Sequence, residues 1–88
     1  MQRREVIYRG RVQGVGFRYT CQRVATQFPV TGFVRNWPDG SVQLVAEGQE
    51  DKLQQFLAEI ARVMHDNIAA ARVNQLDATG EFSSFEIR

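Results

Sequence analysis

The chain has 88 residues, enough for one small domain and too few for two, so residues 1–88 are expected to form a single domain. Hydrophobic residues make up 43% of the chain and charged residues 24%, a composition that excludes a disordered or fibrous protein. The formal net charge is +1, and no apolar run is long enough to span a membrane.

The cysteine content and the first residues bear on the cellular compartment. The single cysteine, Cys21, cannot form an internal disulfide, which is compatible with a reducing compartment. The chain enters a strand pattern directly, without the apolar segment of a signal peptide. We therefore expect a cytoplasmic protein that does not engage a membrane. We also expect a monomer, although the sequence itself does not settle the oligomeric state.

Charge is distributed unevenly along the chain. Residues 1–44 hold seven basic and two acidic residues, a balance of +5, whereas residues 45–88 hold four basic and eight acidic residues, a balance of −4. Solvated surface charge is one explanation of this asymmetry. The other is a small anionic ligand bound by the first half, which fits better than a polyanion that needs a broad basic face.

The first predicted strand covers residues 6–13, where apolar and polar residues alternate. Two glycines, Gly14 and Gly16, follow it, and a helical pattern begins at about Phe17. Glycine adopts backbone conformations that other residues avoid, and the peptide N–H groups of such a loop, with those of a helix N-terminus, form an anion site. Arg18 adds a planar, permanently charged guanidinium at the same place.

The first helix is predicted from an apolar stripe that ends before Pro29, and its members are Phe17, Cys21, Val24, Ala25 and Phe28. Cys21 lies on this stripe, one turn beyond Arg18. We therefore interpret it as a buried thiol that packs in the core, and not as a nucleophile at the anion loop.

A β-hairpin is predicted next. Residues 30–36 and 42–47 are rich in strand-forming side chains, and the sequence Trp37-Pro38-Asp39-Gly40 between them has its proline, aspartate and glycine in turn order. Turn geometry explains Asp39 better than a role in acid–base chemistry does.

A second helix and one or two strands complete the chain. The helix starts at Glu50 and Asp51, where the helix dipole favours negative charge. Its apolar stripe consists of Leu53, Phe56, Leu57, Ile60, Ala61 and Met64. Residues 73–76 are predicted to form a fourth strand and residues 82–87 to add a short edge strand, while residues 67–71 are a connection of unassigned form.

This order of elements predicts an α+β fold of the ferredoxin-like, split β-α-β (βαββαβ) type. It has an antiparallel sheet, two helices on one face and room for a short fifth edge strand. In this topology the third strand lies between the first and second, whose C-terminal ends share one sheet edge, roughly 9.5 Å apart. The glycine loop and Asn36, which ends the second strand, should therefore be neighbours in space.

Common phosphate-binding motifs do not fit the glycine loop. Position 19 is Tyr19, where a dinucleotide fingerprint has its third glycine, and no Gly-Lys pair completes a Walker loop. His65 is the only histidine, so no histidine cluster can be built, and its position near the C-terminal end of the second helix does not suit a histidine-dependent triad at the loop. The acidic residues lack the spacing of metal ligands. We expect chemistry without a metal or a cofactor.

Two motifs resemble the acylphosphatase family. The stretch Gly10-Arg11-Val12-Gln13-Gly14-Val15-Gly16-Phe17-Arg18 is similar to the first signature of that family. The stretch Gly32-Phe33-Val34-Arg35-Asn36, continued by Gly40-Ser41-Val42 and Gly48, is similar to the second. The two occur in the family's order and separation, and the last residues, 82–88, are also similar. Residues 67–71 lack the Gly-Pro often found there.

The resemblance implies hydrolysis of acyl phosphates to a carboxylate and inorganic phosphate by a ferredoxin-like domain. It further implies that Arg18 binds the phosphoryl group together with the loop backbone of Gln13, Gly14, Val15, Gly16 and Phe17. Asn36 would position the attacking water. The expected partners are therefore a small acyl phosphate substrate and inorganic phosphate, which acts as product and inhibitor.

Three other functions remain as alternatives. An RNA-binding module of this fold stacks bases on aromatic residues of its first and third strands, and the third strand here has none, so we expect no nucleic-acid partner. The chain is also similar to the N-terminal domain of larger hydrogenase-maturation proteins that handle carbamoyl phosphate, although its length and starting methionine favour a separate enzyme. A domain that only binds anions is the third alternative.

Overall fold

The computed structural model describes residues 1–88 as five strands and two helices. The bounds are β1 Gln2–Gly10, α1 Phe17–Ala25, β2 Thr31–Asn36, β3 Val42–Gly48, α2 Glu50–Val63, β4 Ile68–Asp77 and β5 Phe85–Ile87. The longer helix, α2, has 14 residues. Neither helix has the length and apolar character that crossing a bilayer requires.

The five strands form one sheet in the order β4-β1-β3-β2-β5. Strand β3 pairs antiparallel with both β1 and β2, and β4 pairs antiparallel with β1, as the split β-α-β topology predicts. The fifth strand differs, because β5 runs parallel to β2 and makes the sheet mixed, not purely antiparallel as predicted. The C-terminal ends of β1 and β2 share one edge of the sheet.

The first strand ends three residues earlier than its alternating pattern predicted. Pairing with β4 shifts register between Arg9 and Gly10, where a bulge turns the chain out of the sheet. The alternation continues past this point because Val12 still inserts into the core and is 1% exposed. Val12 is therefore buried in the core although the strand pairing has already ended at Gly10.

Other boundaries also differ from the prediction: β1 begins at Gln2 and not at residue 6, and β5 begins at Phe85 and not at residue 82. Helix α1 ends at Ala25 because the Thr26 N–H and hydroxyl both bind the carbonyl oxygen of Arg23, which closes the last turn before Pro29. Strand β4 begins at Ile68, so the connection without an assigned form is part of a ten-residue edge strand. Most of that strand is exposed, so its residues show no alternation of burial.

Both helices pack against one face of the sheet. Each contributes an apolar stripe to a single core that also holds the inward residues of β1, β2 and β3. Aromatic pairs pack inside this core. The ring centroids of Tyr8 and Phe17 are 4.9 Å apart in a tilted pair, and those of Phe56 and Phe85 are 5.5 Å apart in an edge-to-face pair. The Phe17 contact fixes the start of α1 beside the end of β1.

The opposite face of the sheet carries polar networks. The Glu5 carboxylate accepts hydrogen bonds from the side-chain amides of Gln43 and Asn74, at 2.8 and 2.9 Å. Nearer β5, the Glu47 carboxylate is 1% exposed and accepts hydrogen bonds from the backbone N–H groups of Thr79 and Gly80 at 2.8 and 3.0 Å. This second network fixes the chain that leads into β5.

Candidate functional site

The loop between β1 and α1 turns on two glycines. Gly14 and Gly16 have φ values of 74° and 76°, in the left-handed region that side chains disfavour, and Gly16 is the N-cap of α1. A Cβ atom at either position would meet no heavy atom within 4 Å, so the backbone conformation, and not lack of space, requires glycine. The loop can therefore turn its peptide groups toward one point.

The peptide groups of this loop are free to bind a ligand. No backbone N–H group of residues 13–19 donates a hydrogen bond to an acceptor of the protein, whereas Thr20 donates to the Gly16 carbonyl oxygen at 2.9 Å. The first amides of any helix lack intrahelical partners, and here the loop extends that run of donors. Such a run favours an anion, which the helix dipole stabilises further.

Arg18 lies in the first turn of α1, next to these amides. Its guanidinium makes one protein hydrogen bond, from Nη1 to the main-chain oxygen of Arg88 at 3.3 Å. Arg88 itself is held by β2, since its N–H donates to the Val34 carbonyl oxygen at 2.8 Å. Four N–H groups of the guanidinium remain available, in the planar arrangement that binds phosphate oxygens in pairs.

Asn36 is the last residue of β2, and its side-chain oxygen has no partner. Oδ1 is buried and accepts no hydrogen bond from the protein. An unsatisfied buried acceptor costs about 1–3 kcal/mol, and such atoms are rare enough in folded proteins to need an explanation. A water molecule or substrate group that donates to Oδ1 would supply one.

Arg18, Asn36 and the glycine loop border one cavity of about 190 Å³. Its lining residues are Val12, Gly14, Gly16, Phe17, Arg18, Tyr19, Asn36 and Ile87. The structure thus brings together the two segments that sequence analysis placed at one sheet edge. Val15 is exposed and does not line the cavity.

Three lining residues were missed by sequence analysis, and one of them, Val12, directly precedes the predicted loop. Ile87 comes from β5, whose parallel pairing with β2 carries it to this edge of the sheet. The sequence indicated that an apolar residue at the end of this short strand would be buried, but it gave no sign that the residue would line the site. Tyr19 follows Arg18 and is 72% exposed, so it borders the cavity without belonging to the core. Its position beside Arg18 was the available signal.

Gln13 has a different role from the rest of the loop, because its side chain points to the β2–β3 hairpin. Its Nε2 donates to the main-chain oxygens of Trp37 at 2.7 Å and Ser41 at 2.8 Å. It does not line the cavity. The glycine loop is therefore tied to the hairpin that begins at Asn36.

Asp39 has the turn role that its sequence context predicted. Its Oδ1 accepts hydrogen bonds from the Ser41 hydroxyl at 2.6 Å and the Ser41 N–H at 2.9 Å. These hydrogen bonds, more than the nearby Arg9, lower the pKa of the Asp39 carboxyl. Asp39 is not among the residues that line the cavity.

The other reactive side chains lie apart from the cavity. Cys21 is fully buried, and desolvation raises the pKa of its thiol to about 12, so the thiol stays protonated and unreactive at neutral pH. His65 is exposed at the end of α2, where Nδ1 lies 3.3 Å from the Asp66 carboxylate. No three histidine, cysteine or acidic side chains converge in a metal-binding cluster.

Fold and site together define a class of protein: a small α+β domain whose sheet edge carries a cavity lined by a glycine loop with free peptide N–H groups, an arginine and an asparagine. Comparison with known proteins identifies the family within this class. The acylphosphatase family model matches residues 4–87. An acylphosphatase from Methanospirillum hungatei JF-1 is 42% identical over 89 aligned residues, which cover 100% of this chain and 98% of the relative. The chain therefore belongs to the acylphosphatase family, hydrolases that act on acid anhydrides.

Solved structures confirm the predicted ferredoxin-like α+β fold. The crystal structure of acylphosphatase from Bacillus subtilis superposes with a TM-score of 0.89 at 32% identity, covering 100% of this chain and 99% of that one. Full-length HypF in its phosphate- and nucleotide-bound form matches with a TM-score of 0.79 at 25% identity, covering 99% of this chain and 12% of that one. The same fold thus also occurs as a small part of a larger protein.

Proposed function

We propose that this chain hydrolyses acyl phosphates by holding the phosphoryl group in the glycine loop and directing a water molecule at it from Asn36. The observation that carries the proposal is the convergence of three features on one cavity: free loop amides, the Arg18 guanidinium and the unsatisfied Asn36 oxygen. The amides of residues 13–17 and Arg18 would bind the phosphoryl oxygens.

The substrate's chemistry explains why so few groups are sufficient. An acyl phosphate is a mixed anhydride whose leaving group is a carboxylate, which is stable at neutral pH without a proton, so a general acid is dispensable. Phosphoryl transfer passes through a loose transition state with charge on the equatorial oxygens. Positioned N–H donors and one guanidinium stabilise that charge without further reorganisation.

The Asn36 carboxamide can bind the attacking water and the phosphoryl group at the same time. Its buried Oδ1 accepts a hydrogen bond from the attacking water, and its Nδ2 donates to a phosphoryl oxygen. The water oxygen forms a bond to phosphorus as the bond from phosphorus to the acyl oxygen breaks, and the electron pair leaves with the carboxylate. The water's proton passes to the phosphate. The pair of contacts holds the water in line with the leaving group.

We further propose that residues 1–88 act as one catalytic domain, as a monomer in the cytoplasm. Its partners would be a small acyl phosphate and the inorganic phosphate product, with no nucleic acid or membrane. Support comes from the single core and from the free, buried thiol of Cys21, which is compatible with a reducing compartment.

The direct test is turnover of benzoyl phosphate or acetyl phosphate by the wild-type chain in the presence of a chelator. We expect release of inorganic phosphate that is unaffected by the chelator and competitively inhibited by added phosphate. A chain that binds inorganic phosphate but turns over neither substrate would be an anion-binding domain, and the proposal would be wrong.

Arg18→Ala should remove most activity and weaken phosphate binding. Losing one positioned donor typically lowers kcat by roughly 10²–10³, and a charged donor should reach at least the upper end. Arg23→Ala is the matched control, because Arg23 is an exposed arginine in the last turn of the same helix. Its kcat and phosphate inhibition constant should equal those of the wild type. Near-normal turnover by Arg18→Ala would contradict the assignment.

A further inference from the structure

We infer that Gln13 is a positioning residue, whose side chain holds the phosphate-binding loop in register with Asn36. The inference rests on the proposed function, because it concerns the geometry of that same reaction. Gln13 contributes its backbone N–H to the proposed cradle, but it is not among the residues that line the cavity. What the side chain contacts is the hairpin that follows Asn36.

The contacts are short and chemically unambiguous. Nε2 donates to the Trp37 oxygen at 2.7 Å and to the Ser41 oxygen at 2.8 Å. Both acceptors are main-chain carbonyl oxygens, so only the NH₂ end of the amide can occupy this place, and its two hydrogens are both used. Trp37 and Ser41 are also the two ends of the turn, joined by the Trp37 N–H donating to Ser41 at 2.9 Å. One side chain therefore contacts both ends of the turn.

The rest of the loop has no comparable tie to the hairpin. Before Gln13, Arg11 is bound to Asn67, which precedes β4 and lies away from the hairpin. The Arg11 N–H donates to the Asn67 main-chain oxygen, and the Asn67 Nδ2 donates to the Arg11 main-chain oxygen, both at 3.0 Å. After it, the segment from Gly14 to Gly16 is exposed. No other hydrogen bond joins residues 11–16 to residues 36–42. Gln13 is thus the polar link between the two halves of the site.

Loss of the link should damage catalysis more than folding. The Trp37 oxygen also accepts from the Gly40 N–H at 3.1 Å, and the Ser41 oxygen accepts from the Trp37 N–H, so neither carbonyl is left without a partner. The loop amides and Arg18 still reach the phosphoryl group. Only the placement of that group relative to the water at Asn36 is loosened, and a 1 Å misplacement can cost 10²-fold in rate.

Gln13→Met tests the link, because methionine keeps the length of the side chain and removes both donors. We expect kcat for benzoyl phosphate to fall roughly 10–100-fold, with little change in the inhibition constant of inorganic phosphate. Gln22→Met is the control, since Gln22 is also half-buried but lies on α1 without a hydrogen bond of its side chain. It should retain the wild-type kcat. Full kcat in Gln13→Met would overturn the inference.

Two further measurements separate positioning from a structural role. In the double variant Gln13→Met/Asn36→Ala, kcat should fall no further than in Asn36→Ala alone, because the water is already misplaced; additive losses would overturn the inference. In Gln13→Glu, a neutral carboxyl restores one donor, so its kcat relative to wild type should rise as the pH is lowered. A ratio that does not change with pH would contradict the inference.

The same assays distinguish the inference from the proposed function. A wild-type chain without turnover would overturn both. An active wild type with a fully active Gln13→Met variant would overturn the positioning role of Gln13 and leave the proposed function standing.

Discussion

At the scale of single residues, Asn36 is the side chain whose surroundings best indicate a function. Its Oδ1 is buried and accepts no hydrogen bond from the protein. Folded proteins keep such an atom where a ligand or water satisfies it. Arg18 is similar in kind, since it lines the cavity and only one of its guanidinium N–H groups has a protein acceptor.

Asn36→Ala should therefore lower kcat by roughly 10²–10³ while the inhibition constant of inorganic phosphate stays near that of the wild type. The free energy of unfolding should not fall, because the substitution removes an unsatisfied acceptor. Steady-state kinetics and urea denaturation measure the two effects. Asn74→Ala, on the edge strand β4, is the control and should leave kcat unchanged. A collapse of phosphate binding in Asn36→Ala would mean that Asn36 mainly binds the phosphoryl group, and would contradict its role in positioning the water.

At the scale of elements, the placement of β5 depends on one buried carboxylate. Glu47 is on β3, and it holds the turn at Thr79 and Gly80 from which the chain continues into β5. That strand carries Ile87 into the cavity, and the next residue, Arg88, accepts the hydrogen bond from Arg18. A carboxylate remote from the chemistry thus fixes one wall of the site.

Glu47→Gln should reduce the free energy of unfolding by about 1–3 kcal/mol at pH 7, because hydrogen bonds to a buried charge become weaker ones to a neutral amide. Burial by itself raises the pKa of Glu47, but the hydrogen bonds from Thr79 and Gly80, with Arg3, outweigh it and lower the pKa from its usual value. The stabilisation is therefore present above the unfolded-state pKa and is lost as the pH falls through the folded-state value.

The difference in unfolding free energy between wild type and Glu47→Gln should accordingly shrink as the solution is acidified. Urea titrations between pH 7 and pH 3 would measure it. Glu59→Gln, which removes a half-buried carboxylate on the surface of α2 paired with the exposed Arg62, should change stability by at most ~0.5 kcal/mol. A difference that stays constant down to pH 3 would mean that Glu47 is not held as a carboxylate.

At the scale of the whole molecule, stability is concentrated in the centre of the sheet. All seven residues of β3 are buried between β1 and β2, whereas β4 is an exposed edge. The glycine loop of the candidate site lies at one edge of the sheet, and its two glycines are not part of the core. Core packing and catalysis should therefore respond to different substitutions.

Leu44→Ala in β3 should lower the free energy of unfolding by about 2–5 kcal/mol, because it leaves a cavity at a fully buried position. Leu76→Ala in β4 removes the same atoms from an exposed leucine and should change it by at most ~0.5 kcal/mol. Urea denaturation compares the two, and the folded Leu44→Ala protein should keep the kcat of the wild type. Equal losses from both variants would contradict this distribution of stability.

Much of the fold was predictable from the amino-acid sequence because local patterns agree with the tertiary structure. The apolar stripes of α1 and α2 pack as their spacing predicts, and Pro38, Asp39 and Gly40 form the expected turn. The edge strands were harder. Strand β4 is mostly exposed on both faces, so it lacks alternation, and the direction of β5 depends on pairing with β2 and not on any local signal.

The candidate site was likewise predictable from the sequence only in part. Residue types and strand order were sufficient to select Arg18, Asn36 and the glycine loop and to place them at one sheet edge. The free Asn36 oxygen, the arrival of Ile87 and the contacts of Gln13 appear only in the folded chain. These features depend on side-chain rotamers and on strand register across 24 or more residues of chain, which no local pattern encodes.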